Sequence, residues 1–213
     1  MIDGGVIAII RMQDSEKLLR IAEAIHAGGV NAVEVTMTTP GALSGIKALA
    51  GKMGDVLQVG VGSVVDVPTV HDAVRAGARY IVSPVFKAEI IQAAHQLDVP
   101  CMPGCFTPTE MWTAFEAGAD IIKVFPADIL GMSFIKGVKA PMPQLPLMPT
   151  GGIGPENAGA WIQAGACCVG VGSALLDRRA IDENDFDRLT ENAAKLIESV
   201  RVGRERARLK IKD

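Results

Sequence analysis

The chain has 213 residues, enough for one sizeable core and few for two. It is 49% hydrophobic but only 4% aromatic, so its core is aliphatic, which suits alternating strands and helices better than an aromatic-rich sandwich. A formal charge of -3 gives no general attraction to nucleic acid, and the apolar run Val6–Ile10 stops at Arg11, far short of a membrane span.

Strand and helix signals alternate eight times. Residues 6–11 read as the first strand. Asp14 is placed to cap the next helix, whose Leu18, Ile21, Ala22 and Ile25 share one face before Gly28-Gly29 ends it. Residues 32–36 are the second strand, and Thr39-Pro40 opens a helix with proline in the first turn. Residues 56–61 are the third strand, followed by Asp66 as a cap. Residues 80–83 and 100–103 are the fourth and fifth. Thr107-Pro108-Thr109-Glu110 is a capping box, a specific helix start. Residues 121–125, 146–150 and 168–172 are the last three strands, and a final helix covers roughly 182–202.

Eight strand–helix units imply a parallel sheet that closes into a (β/α)8 TIM barrel. The expected architecture is therefore α/β, one compact domain over 1–213 with a basic tail from about 203. The arginines and lysines from Arg201 to Lys212 read as a solvated helix end or frayed tail.

An internal repeat locates the chemistry. Gly28-Gly29-Val30, Ala76-Gly77-Ala78, Ala117-Gly118-Ala119 and Ala164-Gly165-Ala166 each end a helix and lead into an even-numbered strand. Five residues beyond the central glycine stand Glu34, Val82, Lys123 and Gly170. Alternate strands supply each interior layer of such a barrel, so these four are expected to share a layer near its C-terminal face. Glu34 and Lys123 would then face each other, with Gly170 leaving space.

A buried ion pair filling the core is the structural alternative, but such pairs are costly to desolvate and contribute little stability. Lysine is almost never fully buried unless paired or used. Burial disfavours the ammonium form, and the neutral amine attacks a ketone to form a Schiff base. The opposing carboxylate can move the protons. That is the equipment of a class I aldolase, which needs no metal or other cofactor.

Two glycine-rich turns flank this pair. Thr150-Gly151-Gly152-Ile153-Gly154 and Gly172-Ser173 follow the seventh and eighth strands, where many barrels hold phosphate. Residues 173–176 are placed to form the short helix whose N-terminus favours an anion. Tight turns with a serine cap are the equal alternative. Val59-Gly60-Val61-Gly62-Ser63 nearly duplicates Val169-Gly170-Val171-Gly172-Ser173. Ser63 is placed to hold a substrate carboxylate, with Arg11 supplying positive charge; Arg11 as a plain strand-end surface residue is the alternative.

The four cysteines show no disulfide framework: Cys167 and Cys168 are neighbours on one strand, and Cys101 and Cys105 lack CxxC spacing. Reduced thiols and a cytoplasmic location are expected, with no secretory leader visible. His26, His71 and His95 each fall within a helix without metal-ligand spacing.

Taken together, these segments resemble the KDPG/KHG aldolase family over nearly the whole chain. The resemblance rests on Ile9-Ile10-Arg11, Val33-Glu34-Val35-Thr36, Val59-Gly60-Val61-Gly62-Ser63, Ile81-Val82-Ser83-Pro84, Met102-Pro103-Gly104, Lys123-Val124-Phe125-Pro126-Ala127 and Pro149-Thr150-Gly151-Gly152-Ile153. It implies a homotrimeric barrel that cleaves 2-keto-3-deoxy-6-phosphogluconate, or 4-hydroxy-2-oxoglutarate, to pyruvate and an aldehyde. By the same resemblance Lys123 is the Schiff-base lysine and Glu34 the general acid/base. Thr36, Ser63, Pro103, Phe125 and Thr150 would line the pocket, and Gly152, Gly172 and Ser173 would hold the phosphate.

Three departures stand out. Some members carry arginine where this chain has Thr38, Ser63 replaces a usual threonine, and only residues 1–5 precede the first strand where members usually have a helix. The barrel bottom is then open, or covered by the C-terminal segment or another subunit. A sugar-phosphate barrel enzyme without a Schiff base, such as an epimerase or metal-assisted synthase, and a non-catalytic sugar-phosphate-binding protein are the rival readings.

Overall fold

The computed structural model describes residues 1–12 and 17–209, so Asp14, Lys210 and Lys212 lie outside the described residues. The chain begins β1 (Val6–Ile10), α1 (Leu18–Ala27), β2 (Ala32–Thr36), α2 (Ala42–Met53), β3 (Gln58–Gly62), α3 (Val67–Arg75). It continues β4 (Ile81–Val82), α4 (Ala88–His95), β5 (Cys101–Met102), β6 (Gly104–Cys105), α5 (Pro108–Glu116), β7 (Ile122–Val124). It ends α6 (Ala127–Lys139), β8 (Leu147–Pro149), α7 (Ala158–Gln163), β9 (Val169–Val171), α8 (Arg178–Glu183), α9 (Phe186–Leu209). Every strand pairing is parallel, in the orders β5-β4-β3-β2-β1-β9 and β6-β7-β8. A parallel bridge between Thr150 and Gly170 joins the two sheets along one edge. The Lys123 N–H, donating to the Pro103 carbonyl at 2.9 Å, joins them near the other. The result is a curled parallel sheet with helices packed outside it.

The repeat seen in the sequence has a local cause. Gly29, Gly77, Gly118 and Gly165 sit at φ values of 98°, 106°, 92° and 113°, the left-handed region that favours glycine. After each, the next N–H reaches five residues back: Val30 to Ile25, Ala78 to Ala73, Ala119 to Ala114 and Ala166 to Trp161, at 2.9–3.2 Å. This is the Schellman closure, which satisfies orphan carbonyls and turns the chain sharply out of the helix. Four identical exits deliver four strands in the same phase.

Phase then decides facing. Val33, Val35, Val59 and Val61 point outward into the main core between sheet and helices. Ile7, Ala32, Tyr80, Val82, Met102, Ile121, Met148 and Cys168 form a second, smaller core on the concave face. Leu18, Ile21, Ala22 and Ile25 of α1 are buried together, as their spacing requires.

Several boundaries differ from the sequence reading. The fifth strand is split: β5 pairs with β4 and β6 with β7, and the break falls at Pro103, which has no N–H to give a ladder. Helix α2 starts at Ala42, after Gly41 in a left-handed conformation, so Pro40 belongs to the preceding turn. Cys167 and Cys168 lie in a bend before β9 rather than on a strand. The final helix is two helices, interrupted at Asn184 in a left-handed conformation.

Residues 203–209 continue α9 instead of forming a tail, because its buried stripe runs on from Leu196 through Val200 to Gly203. Gly203 meets Gly159 of α7 so closely that a Cβ at residue 203 would stand 2.5 Å from the Gly159 carbonyl oxygen. Arg204 donates to the carbonyls of Asp3, at 2.5 Å, and Ile2. Met1 packs against the concave core. Residues 1–5 and α9 thus cover the N-terminal end of the sheet.

The capping box at α5 is complete. The Glu110 N–H donates to Thr107 Oγ1 at 3.2 Å, and Glu110 Oε2 accepts from the Thr107 and Phe106 N–H groups at 2.7 and 3.0 Å. These N–H donors hold the Glu110 carboxyl below the ordinary carboxylate range. A lowered folded-state value stabilises the protein at neutral pH, and the benefit disappears as the folded carboxyl takes up its proton. Thr107→Ala is expected to cost about 1 kcal/mol in denaturant unfolding. Glu110→Gln should lower Tm at pH 7, and the difference should close as pH falls below about 4. A difference independent of pH would contradict this account of the cap.

Candidate active site

Lys123 is the middle residue of the three in β7. Its neighbours Ile122 and Val124 are buried in the outer core, so alternation sends the lysine to the concave face. Glu34 does the same on β2 between Val33 and Val35. The two meet: Lys123 Nζ lies 4.0 Å from Glu34 Oε1, with side-chain exposures of 7% and 1%. The Phe125 ring is stacked 5.2 Å from the same ammonium. Val82 shares the concave face, as expected from the repeat.

Glycines make the space for this pair. A Cβ at Gly62 would stand 1.8 Å from Glu34 Oε1. A Cβ at Gly170 would stand 2.4 Å from Thr150 Oγ1 and 3.2 Å from Ile9 Cδ1, so the space it leaves is taken by those side chains. Burial pushes the Glu34 carboxyl above its ordinary value, while the Lys123 ammonium and the Arg11 guanidinium offset part of that rise. Glu34 Oε2 and Thr150 Oγ1 are buried without hydrogen-bond partners among the described residues.

The surrounding residues divide into two groups. Thr36 is buried, and its Oγ1 lies 2.9 Å from that of the exposed Thr38 and 3.3 Å from that of Thr39. Thr36 pairs in register with Gly62, beside Ser63. Ser63 is half-buried and holds a φ of 61°, a left-handed conformation that costs a non-glycine residue about 1 kcal/mol. Pro103 is buried and touches Lys123 through the backbone bond described above.

The second group surrounds a cavity of about 790 Å³, lined by Arg11, Thr150, Gly151, Gly152, Gly172 and Ser173. Lys123, Glu34, Thr36, Thr38, Ser63, Pro103 and Phe125 do not line it. Thr150 links this cavity to β7, its N–H donating to the Val124 carbonyl at 3.0 Å, one residue beyond the lysine. Arg11 is exposed on this cavity, next to the glycine turns, while its charge still reaches Glu34.

The glycine turns are built for close approach. Gly151 and Gly152 have φ of 109° and 67°, and a Cβ on either would crowd Asp128. The N–H groups of Gly152, Ile153, Ser173 and Ala174 donate to no acceptor among the described residues. The short helix expected over 173–176 is a single turn, closed by the Leu175 and Leu176 N–H groups on the Gly172 carbonyl at 3.0 Å. Any anion there is met by loop N–H groups and not by a helix dipole.

Two cavity residues escaped the sequence reading. Asn157 clamps the first turn from both ends: its Oδ1 accepts from the Gly154 N–H at 3.0 Å and its Nδ2 donates to the Gly152 carbonyl at 2.9 Å. Its position in Gly154-Pro155-Glu156-Asn157 was the available signal. Lys17 donates to the Ile181 carbonyl of α8 at 2.8 Å and so ties α1 to the far wall. That contact spans 164 residues of sequence and leaves no local signal. Among the described residues, no group of three or more His, Cys, Asp or Glu side chains is arranged to hold a metal ion.

A family model described as KDPG and KHG aldolase matches residues 1–192. The chain is 36% identical over 171 residues to a 2-dehydro-3-deoxy-6-phosphogalactonate aldolase of Escherichia coli K12, covering 80% of this chain and 83% of that protein. It is 30% identical over 201 residues to the KHG/KDPG aldolase of the same organism, covering 93% of each. A solved KDPG aldolase from Legionella pneumophila, with pyruvate captured at low pH as a covalent carbinolamine intermediate, superposes with a TM-score of 0.84 at 31% identity. That match covers 90% of this chain and 93% of the other. Fold, site and relatives meet in one class: the chain is a class I aldolase, a lyase. Within that class, it belongs to the KDPG/KHG aldolase family.

Asn157→Ala is expected to weaken binding of inorganic phosphate roughly thirtyfold in isothermal titration, the worth of two ordinary hydrogen bonds. Unchanged affinity would separate this turn from anion binding.

Proposed function

We propose that the chain cleaves a 2-keto-3-deoxy-6-phospho sugar acid, such as 2-keto-3-deoxy-6-phosphogluconate, or the related 4-hydroxy-2-oxoglutarate. The products are pyruvate and an aldehyde such as glyceraldehyde 3-phosphate. The observation that carries this reading is the buried approach of Lys123 Nζ to Glu34 Oε1, 4.0 Å apart on facing strands. The Lys123 amine attacks the C2 ketone and, with loss of water, forms an iminium. The Glu34 carboxylate takes the proton of the C4 hydroxyl. The C3–C4 bond breaks, its electron pair enters the iminium as an enamine, and the aldehyde leaves. Glu34 returns a proton to C3, and water releases pyruvate and the free amine.

Burial of the Glu34 carboxyl supports both halves of that proton traffic, because a raised proton affinity makes it a competent acid as well as a base. Phe125, Pro103, Thr36 and Ser63 enclose the pyruvyl half. Gly151, Gly152, Gly172 and Ser173 offer N–H groups to the phosphate, with Arg11 adding charge from the cavity edge. Thr38 stands where Thr36 can orient it toward the substrate carboxylate. Relatives named for the galactonate series and for the gluconate series both match this chain, and the keto-acid panel below includes both.

The strands close into one eight-position barrel in this reading. Support comes from the bonds that join the two sheets and from the pairing of the two halves of the fifth strand with opposite neighbours. A single domain acting as a homotrimer fits the exposed apolar Phe106 and Trp112 beside and on α5. A cytoplasmic location fits the four free cysteines.

Pyruvate release, coupled to lactate dehydrogenase, tests the reading on a panel of 2-keto acids with and without phosphate. The wild type should cleave at least one phosphorylated member. Lys123→Ala should abolish release, and Glu34→Gln should lower kcat by roughly 10²–10⁴-fold. Full activity in folded Lys123→Ala would overturn the mechanism.

A further inference from the structure

Tyr80 is the only tyrosine of the chain and is fully buried. It lies on the concave face, in the layer of Ala32, Ile121 and Cys168, one step below Val82 and therefore one layer below Glu34 and Lys123. Its ring rests on Gly60: a Cβ there would stand 2.3 Å from both Cζ and Cε2. Gly60 is the register partner of Glu34 across the β2–β3 ladder. The phenol end of Tyr80 and the side chain of Glu34 are therefore packed against consecutive inward glycines of one strand, Gly60 and Gly62. A phenylalanine would fill the same space without a polar atom.

Two atoms here are left over. The Tyr80 hydroxyl and Glu34 Oε2 are both buried without a partner among the described residues. Buried polar atoms are almost always hydrogen-bonded, directly or through an ordered water. One of these atoms is a donor, and the other, on an ionised carboxylate, is an acceptor only. Glu34 Oε1 already faces Lys123. Burial and the nearby carboxylate hold the phenol well above its ordinary range, so it keeps its proton and remains a donor.

We propose that Tyr80 is a positioning residue for Glu34: its hydroxyl donates through one ordered water to Oε2 and keeps Oε1 turned toward Lys123. The inference rests on the aldolase reading above and adds a residue to it. The ionisable groups facing Glu34 are Lys123, Arg11 and Tyr80, and those facing Tyr80 are Glu34 and Cys168. The Cys168 thiol is itself held well above its ordinary range and stays neutral. A hydrogen bond to the carboxylate favours the ionised form, so losing the hydroxyl must raise the proton affinity of Glu34.

The test uses exchange of the methyl protons of pyruvate into D2O, followed by NMR at saturating pyruvate. This reads proton transfer at the enamine without any phosphorylated substrate, and the profile reports groups in the complex. Tyr80→Phe should move the acid limb of the rate profile upward by on the order of one pH unit. As a second measurement, 3-fluorotyrosine incorporated biosynthetically labels this one position. Its fluorine resonance should titrate along with the acid limb, and Glu34→Gln should abolish that titration. A Tyr80→Phe profile superimposable on the wild type, with no titration of the fluorine signal, overturns the proposal. A wild type that exchanges no protons at all would instead remove the aldolase reading on which it stands.

Discussion

A lysine and a glutamate share the inside of this curled sheet, 4.0 Å apart and almost out of contact with water. Burying two charges costs several kcal/mol per ion, and well-packed apolar residues in their place are often more stable. The arrangement is therefore poor engineering for stability and demands supports elsewhere. Gly62 gives up its side chain to admit the Glu34 carboxylate, and Gly60 gives up its own to admit Tyr80. Ile122 and Val124 anchor the lysine from the outer core. A mostly aliphatic interior keeps water away from the pair.

The supports are positioned by backbone geometry more than by side chains. Four helices leave through the same glycine closure, and each exit sets the phase of the strand that follows. Phase determines which residue points inward. This is why counting five residues from Gly29 and from Gly118 was enough to put Glu34 and Lys123 together. Those closures are local, encoded in three adjacent residues, and for that reason legible in the sequence. The capping box at Thr107 was legible on the same ground.

What escaped was tertiary. Pro103 divides a strand whose two halves choose different neighbours, a choice that no single-strand pattern contains. The last helix runs past its expected end because Gly159 of another helix accepts Gly203 in close contact, a pairing of two residues 44 positions apart. Arg204 reaches back to the carbonyls of residues 2 and 3, so the covering of the sheet's lower end comes from the far end of the chain. Asn157 is a different case. It acts on a turn three residues away, and an asparagine after Gly-Pro-Glu has no periodicity or cap pattern that marks it as a clamp.

The central claim is that one buried amine does the covalent chemistry. Incubation with pyruvate and sodium borohydride, followed by peptide mapping in a mass spectrometer, asks this most directly. The account predicts a stable reduced adduct on Lys123 in intact, folded protein, formed only when pyruvate is present. An adduct confined to other lysines, or none under conditions where pyruvate is being released, would contradict it.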